Sequence, residues 1–423
     1  MRERNRKFVS RVLILSLCSL VFAGLIYMVD VAKAPSAAVP DIKIAVVDSL
    51  SGTLSRNGSL MIQGTKAAMG WVNDNGGIKS LGGAKLVPVV GDCGSTVEGA
   101  ASTMDRICRD PDITMAMGAW ASSLTMATTE ITERLGIPHF STCFFDKLHE
   151  RGFKWGFYIN PPSSVYGDLG VGKVVDLAKA SGHIIKTAAL ITDNMAASKG
   201  YGDAVKKYFD KVGIKLIGEE AFTMGTLTDA TPIMQNIKRL NPDVVMFAPA
   251  SIAECQLIFM KKLEMKVNIP FIGATGTHVD PQFKQVGGEA LEGFITFSPV
   301  YPQKFFPPEW IKRTLDQCRK EYSDEPWVGQ ELAFGWAKIP VMAEVLERAG
   351  SRDRQAIREV ARKLDLHDVT ATKAYAKQGV AFDETGRIVK KYQEVMLVQW
   401  QSGIPQVIYP TALATAKPIW RKK

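Results

Sequence analysis

Apolar runs of strand length alternate with amphipathic helical stretches along most of this chain, and the alternation comes in two successive blocks. In the first block, residues 42–47, 85–90, 113–117 and 138–141 read as strands, separated by helical patterns over 59–73, 96–109 and 122–135. Gly76-Gly77 supplies a stop signal for the first of these helices. Asn160-Pro161-Pro162 interrupts the pattern, which then resumes. Helices over 166–180, 202–212, 232–240 and 253–263 now alternate with strands over 188–192, 215–222, 244–247 and 271–274. Strands separated by helices form a parallel sheet whose two faces the helices cover. The expected class is therefore α/β, with two similar lobes that are each a mainly parallel sheet flanked by helices. A ligand cleft is expected between them, near the carboxyl ends of the strands. The final third differs. It reads as helices over 309–322, 331–347 and 354–364, a polar turn at 382–386, and two strands, 394–400 and 406–409, joined around Gly403. No long linker separates the blocks.

Charge narrows the function classes. The chain carries 52 basic against 43 acidic side chains, a formal +9. Arg2, Arg4, Arg6, Lys7 and Arg11 against Glu3 at one end, and Lys417, Arg421, Lys422 and Lys423 at the other, hold nearly all of the excess. The body is close to neutral and lacks the basic face that nucleic-acid binding requires, so no nucleic-acid partner is expected.

The basic start is followed by an uncharged apolar run, 12–29, and then by Ala32-Lys33-Ala34 and Ser36-Ala37-Ala38. Basic, apolar, small is the order of a secretory signal. The run is longer than the usual signal core, and Pro35 obstructs cleavage after Ala34. Two readings of residues 1–40 therefore stand: a cleaved signal peptide, or a retained membrane anchor. Both place the body outside the cytoplasm, with the basic end inside. Leu17 before Cys18 is too large for a lipoprotein processing site. The body keeps Cys93, Cys108, Cys143, Cys255 and Cys318, an odd number, so at most two disulfides are expected. Cys93 and Cys108 should stand at opposite ends of a β-α unit, ~20 Å apart, too far to bridge.

Catalytic patterns are missing. Gly167-Asp168-Leu169-Gly170-Val171-Gly172-Lys173 matches most of a phosphate loop, but Val174 stands where a magnesium-binding hydroxyl belongs and no apolar strand precedes it. No H-E-x-x-H, G-x-S-x-G or C-x-x-C occurs. His139 lies in an apolar strand and reads as a satisfied strand histidine. Asn57-Gly58-Ser59 is a glycosylation sequon short enough to arise by chance. No enzyme activity, cofactor or metal is expected.

Several segments together resemble the extracytoplasmic solute-binding proteins of ABC importers, the branched-chain amino-acid-binding group with the type I periplasmic-binding-protein fold. They are Ile42-Lys43-Ile44-Ala45-Val46-Val47 with Ser51-Gly52, Asn73-Asp74-Asn75-Gly76-Gly77-Ile78, Gly118-Ala119-Trp120-Ala121-Ser122-Ser123, Ile272-Gly273, Glu289-Ala290-Leu291-Glu292-Gly293, and Phe382-Asp383-Glu384-Thr385-Gly386. The similarity runs over about residues 41–410. It implies two lobes joined by three crossings: 41–161 plus 300–388, and 162–299 plus 389–413, with 414–423 as a basic tail. It also implies closure on a small molecule that is handed to a membrane permease.

The same resemblance marks candidate ligand-binding residues. Trp120, Ala121, Ser122 and Ser123 stand at the turn that grips a ligand carboxylate in that family; a helix N-terminus with free N–H groups suits this, and a plain N-cap is the alternative. Cys143, Phe144 and Phe145 occupy its second contact loop, with Phe145 at a threonine position, either lining the pocket or filling core. Tyr201 matches an aromatic that closes the cleft. Thr275 stands where amino-acid binders place a carboxylate for the ligand ammonium, and Ala250 where some relatives have an aromatic. Glu254 or Asp193 could substitute for the missing acid. Arg56, in the first cleft loop, either pairs with a carboxylate or is a solvated charge. The expectation is an ABC-importer solute-binding protein for a small carboxylate, amide or amino-acid-like ligand, with a carboxylate lacking an ammonium favoured. A membrane-tethered sensor is the alternative, and an enzyme on the same frame a third reading.

Overall fold

The computed structural model describes residues 39–274, 276–322 and 325–420. The first β-α block forms a parallel sheet of β1 (Ile42–Asp48), β2 (Leu86–Asp92), β3 (Ile113–Gly118), β4 (His139–Ser141) and β5 (Gly156–Tyr158), in the order β2-β1-β3-β4-β5. β1 is buried at every position but Lys43, as a central strand covered on both faces must be. The long helices of this block are α1 (Ser55–Asp74), α2 (Val97–Cys108) and α3 (Ser122–Leu135). Thr96 caps α2 by accepting from the amide of Gly99.

The second block supplies α4 (Val171–Ala180), β6 (Thr187–Asp193), α5 (Ala196–Val212), β7 (Lys215–Phe222), α6 (Thr231–Leu240), β8 (Val244–Phe247), α7 (Ile252–Glu264), β9 (Phe271–Gly273) and β10 (Ile295–Ser298). The final third adds α8 (Pro308–Cys318), α9 (Gln330–Ala349), α10 (Arg354–Arg362), the small antiparallel pair β11 (Asp365–His367) and β12 (Gly379–Ala381), then β13 (Met396–Gln401) and β14 (Ile404–Tyr409). β13 and β14 join the second sheet in antiparallel fashion, giving the order β14-β13-β10-β9-β8-β6-β7.

Late residues serve both cores. Val300, Trp310, Trp336, Ile357 and Phe382 pack with β1 and β3, whereas Val395, Leu397 and Ile408 pack with β6 and β8. α9 is apolar on nearly every face and is buried against α1. Two glycines let the helices approach: a Cβ at Gly335 would stand 2.0 Å from the carbonyl oxygen of Met61, and one at Gly64 would stand 2.1 Å from that of Leu332. Trp71, Trp310 and Trp336 seal this contact, with ring centroids 5.1 and 5.2 Å apart.

Four short strands, β5, β10, β11 and β12, escape a periodicity reading because three or four residues carry too little pattern. The phosphate-loop-like segment is helical; Lys173 turns inward, donating to Glu394 and, at 2.9 Å, to the carbonyl of Val395. His139 is buried, its ring nitrogens within hydrogen-bond reach of Thr132 Oγ1 and the carbonyl of Gly118. Asn57 of the sequon is buried in α1 and donates to Glu331. The five body cysteines are free and buried, so no disulfide forms among the described residues. The apolar run 12–29 and the small residues after it lie outside the described residues. No helix among those described is long and apolar enough to cross a membrane. In the tail, Ile419 exchanges hydrogen bonds with the side chain of Gln399.

Candidate functional site

Each sheet has one place where the chain changes direction. After β1 it goes to β2 on one side and returns to β3 on the other; after β6 it goes to β7 and returns to β8. The loops leaving the two strands at such a point diverge and open a crevice at the strands' carboxyl ends. The two crevices face one cleft. Trp120, Ala121 and Ser122 follow β3, Thr142 and Phe144 follow β4, Met195, Ala197 and Ser198 follow β6, Ala250 follows β8, and Thr277 follows β9. Gln330 and Phe334, one turn apart on α9, complete the lining. The cleft encloses about 490 Å³ of empty space, its mouth included. A larger hollow of about 680 Å³ lies between the starts of β9 and β10 and Trp420. It opens at the amino ends of the strands, where no helix N-termini converge, and we place the site at the cleft.

The turns are held by a matched pair of aspartates. Asp48 ends β1 and accepts from the amides of Ser49 at 2.9 Å and Trp120 at 3.1 Å. Asp193 ends β6 and accepts from the amides of Met195 at 2.9 Å and Ala250 at 2.7 Å. Each carboxylate thus reaches across its crevice to the turn beyond the neighbouring strand. These buried N–H groups need acceptors that no strand can give them there. Burial pushes Asp48 up to about 6, against the pull of the Trp120 and Ser49 amides and of Lys338. Lys338 is fully buried, its Nζ has no hydrogen-bond partner among the described residues, and burial pushes it down to about 8. Burial also raises Asp193, opposed by its hydrogen bonds.

Three helices begin at the cleft, α3, α5 and α7, and none has a side-chain cap. Their first-turn N–H groups and positive dipole ends are suited to an anion. Among the described lining residues there is no ionisable side chain.

Of the residues expected from sequence, the structure brings Trp120, Ala121, Ser122, Phe144 and Ala250 together in the lining. Ser123 lies in the first turn of α3, partly exposed and outside the lining. Cys143 points into the interior, 2.7 Å from Thr125 Oγ1. Phe145 packs with Cys143, Leu148 and Tyr158, and lies against Gly200 of α5. Tyr201 is buried and reaches the cleft only through a chain of rings: Tyr201 to Phe297 at 6.1 Å, Phe297 to Tyr166 at 6.2 Å, Tyr166 to Phe144 at 5.1 Å. Arg56 is engaged with Asp280 and Glu325. Thr275 lies outside the described residues. Glu254, weighed as a substitute acid, is turned away, accepting from the amides of Gly225 and Leu227 at 2.8 and 3.0 Å. Thr142, Met195, Ala197, Ser198, Thr277, Gln330 and Phe334 were not foreseen. The strand ends point to the first five; nothing local points to α9.

A family model described as "Periplasmic binding protein" matches residues 41–403. Leu/Ile/Val-binding protein homolog 7 of Brucella abortus (strain 2308) is 23% identical over 398 residues, covering 91% of this chain and 94% of its own length. Among solved structures, a leucine-binding protein from Thermotoga maritima superposes with a TM-score of 0.71 at 22% identity, covering 86% of this chain and 97% of that one. A fatty acid ABC transporter substrate-binding protein from Thermomonospora curvata gives a TM-score of 0.73 at 14% identity, covering 92% of this chain and 97% of that one. The two-lobed architecture, the cleft where strand order reverses, and the match across nearly the whole body agree. The chain belongs to the periplasmic binding protein family, has its two-lobed fold, and is a substrate-binding protein rather than an enzyme.

Proposed function

We propose that this protein captures a small carboxylate in the periplasm by closing its lobes and delivers it to the permease of an ABC importer. The observation that carries the ligand class is that no ionisable side chain stands among the described lining residues, onto which uncapped α3, α5 and α7 open. Backbone N–H groups at such termini satisfy a carboxylate and leave the rest of the ligand to Trp120, Phe144 and Phe334. An ammonium would meet no carboxylate among the described lining residues, a cost of several kcal/mol for a buried cation. In this reading Trp120, Ala121, Ser122, Phe144 and Ala250 contact the ligand. Residues 41–161 plus 300–388 move as one lobe and 162–299 plus 389–413 as the other. The fatty-acid naming of the Thermomonospora curvata protein agrees with a carboxylate lacking an ammonium.

A second reading, a branched-chain amino acid, is favoured by the leucine, isoleucine and valine naming of the Brucella abortus relative. Thr142, Thr277 and Ser122 would then have to hold the ammonium by neutral hydrogen bonds. Isothermal titration of the exported body against octanoate, phenylacetate, their amides, leucine and valine separates the two. Binding of a simple carboxylate with weaker binding of its amide is the expected result. Tight binding of leucine or valine, with none of the simple carboxylates, overturns the carboxylate reading.

A further inference from the structure

Arg56 lies off the cleft it was expected to line, between elements of the two sheets. Its Nη2 stands 3.0 Å from Asp280 Oδ1 and 2.5 Å from Glu325 Oε1. Arg56 is in the first turn of α1, which packs on the five-stranded sheet. Asp280 lies in the connection from β9 to β10 of the seven-stranded sheet, where it caps the short helix Pro281–Gly287. Glu325 lies in the connection from α8 to α9, and that connection also reaches across: Trp327 Nε1 donates to the carbonyl of Val279 at 3.2 Å, and its ring lies 6.1 Å from that of Trp400 on β13. The side chain of Arg56 is 23% exposed, that of Glu325 4%, and that of Asp280 not at all. Tyr322 lies beneath the guanidinium at 5.4 Å, and buried Glu331 faces the same group from α9.

Buried ions lose hydration and recover it only in an assembled, well-oriented cluster. Separating the two halves would break the Arg56–Asp280 contact and return both charges to water. Asp280 is three residues from Thr277, and Glu325 is five from Gln330, both of which line the cleft. We propose that Arg56 is a positioning residue for solute capture, tying α1 to the β9–β10 connection so that the closed form persists, without touching the solute. This rests on the lobe-closure reading above. Because the tie must break before the two halves can part, its loss acts chiefly on release.

The test uses the full-length protein and its R56M, R56K and D280N variants. Asparagine caps a helix as well as aspartate does, so D280N removes the tie's charge while keeping the cap, and covers the case in which R56M fails to fold. Stopped-flow measurements with octanoate, phenylacetate and leucine as probes should show release about tenfold faster in R56M and D280N, with arrival changed less than about twofold and R56K nearer wild type. X-ray scattering without any solute should give R56M and D280N a larger radius of gyration than wild type. Wild-type release and wild-type radius in a folded D280N would overturn the proposal. If wild type binds none of the probes, it is the ligand reading that fails for them; the radii still decide the tie, and equal radii refute it.

Discussion

The two sides of the cleft use one device with different backing. Each ends its switch-point strand in an aspartate that crosses to the next turn, Asp48 to Trp120 and Asp193 to Ala250. On the five-stranded side the carboxylate faces a buried lysine, Lys338 of α9. On the seven-stranded side Asp193 works with its hydrogen bonds and with Lys199, which is exposed on α5. The strand across the crevice also differs: β3 ends in Gly118, and β8 in Phe247. The topology therefore fixes the need for an acceptor at each switch point, while the layer packed behind decides whether a counter-charge comes with it.

Replacing Gly118 should break the likeness hardest. Its φ of +114° suits glycine alone, and a Cβ would stand 1.9 Å from the carbonyl oxygen of Val47. G118A is expected to cost about 3 kcal/mol, read as a lowered denaturation midpoint with loss of probe binding. Wild-type stability would contradict the close approach. The aspartates come next. D193A should cost about 2 kcal/mol by leaving two amides without their acceptor. D48A should cost about 3 kcal/mol, because it also strands a buried lysine, and adding K338M should recover part of that loss. Equal costs, or no recovery, would show that the counter-charge is unimportant.

A pH titration sharpens the same contrast. Burial, reinforced by Asp280, pushes Glu331 up to about 7 from its ordinary 4.5. An acid whose folded pKa is raised contributes fully below its unfolded value, and that contribution is lost as pH rises through the folded one. E331Q should therefore gain stability over wild type by about 2 kcal/mol more at pH 8 than at pH 4. A pH-independent difference would be the contrary result. The smallest effect is expected at the serines. S122A should weaken carboxylate binding by about 1 kcal/mol, since the backbone N–H groups of α3 remain. S198A, whose hydroxyl donates to the carbonyl of Ala248 at 2.8 Å, should leave the preference of carboxylate over amide unchanged.

The alternation of strand and helix was plain in the chain because burial on both faces of a parallel sheet leaves a continuous apolar signature, as in β1 and β8. The turn at Trp120, Ala121 and Ser122 could likewise be located from the motif around it. Within Cys143, Phe144 and Phe145, by contrast, one side chain enters the interior, one the cleft, and one the contact with α5. Neighbouring residues diverge in direction, and no spacing tells which of the three faces a ligand.

What the linear chain determined by itself was the class of fold, the order of its elements and the strand ends where a ligand would sit. Those follow from local patterning and from the geometry of parallel sheets. Only the tertiary structure decided that Gln330 and Phe334 arrive from α9 to complete the cleft, that Lys338 lies behind Asp48, and that Arg56 pairs with Asp280 and Glu325. The Arg56 pairs join residues more than two hundred positions apart, where a side chain's partner is set by packing and desolvation rather than by its neighbours in sequence.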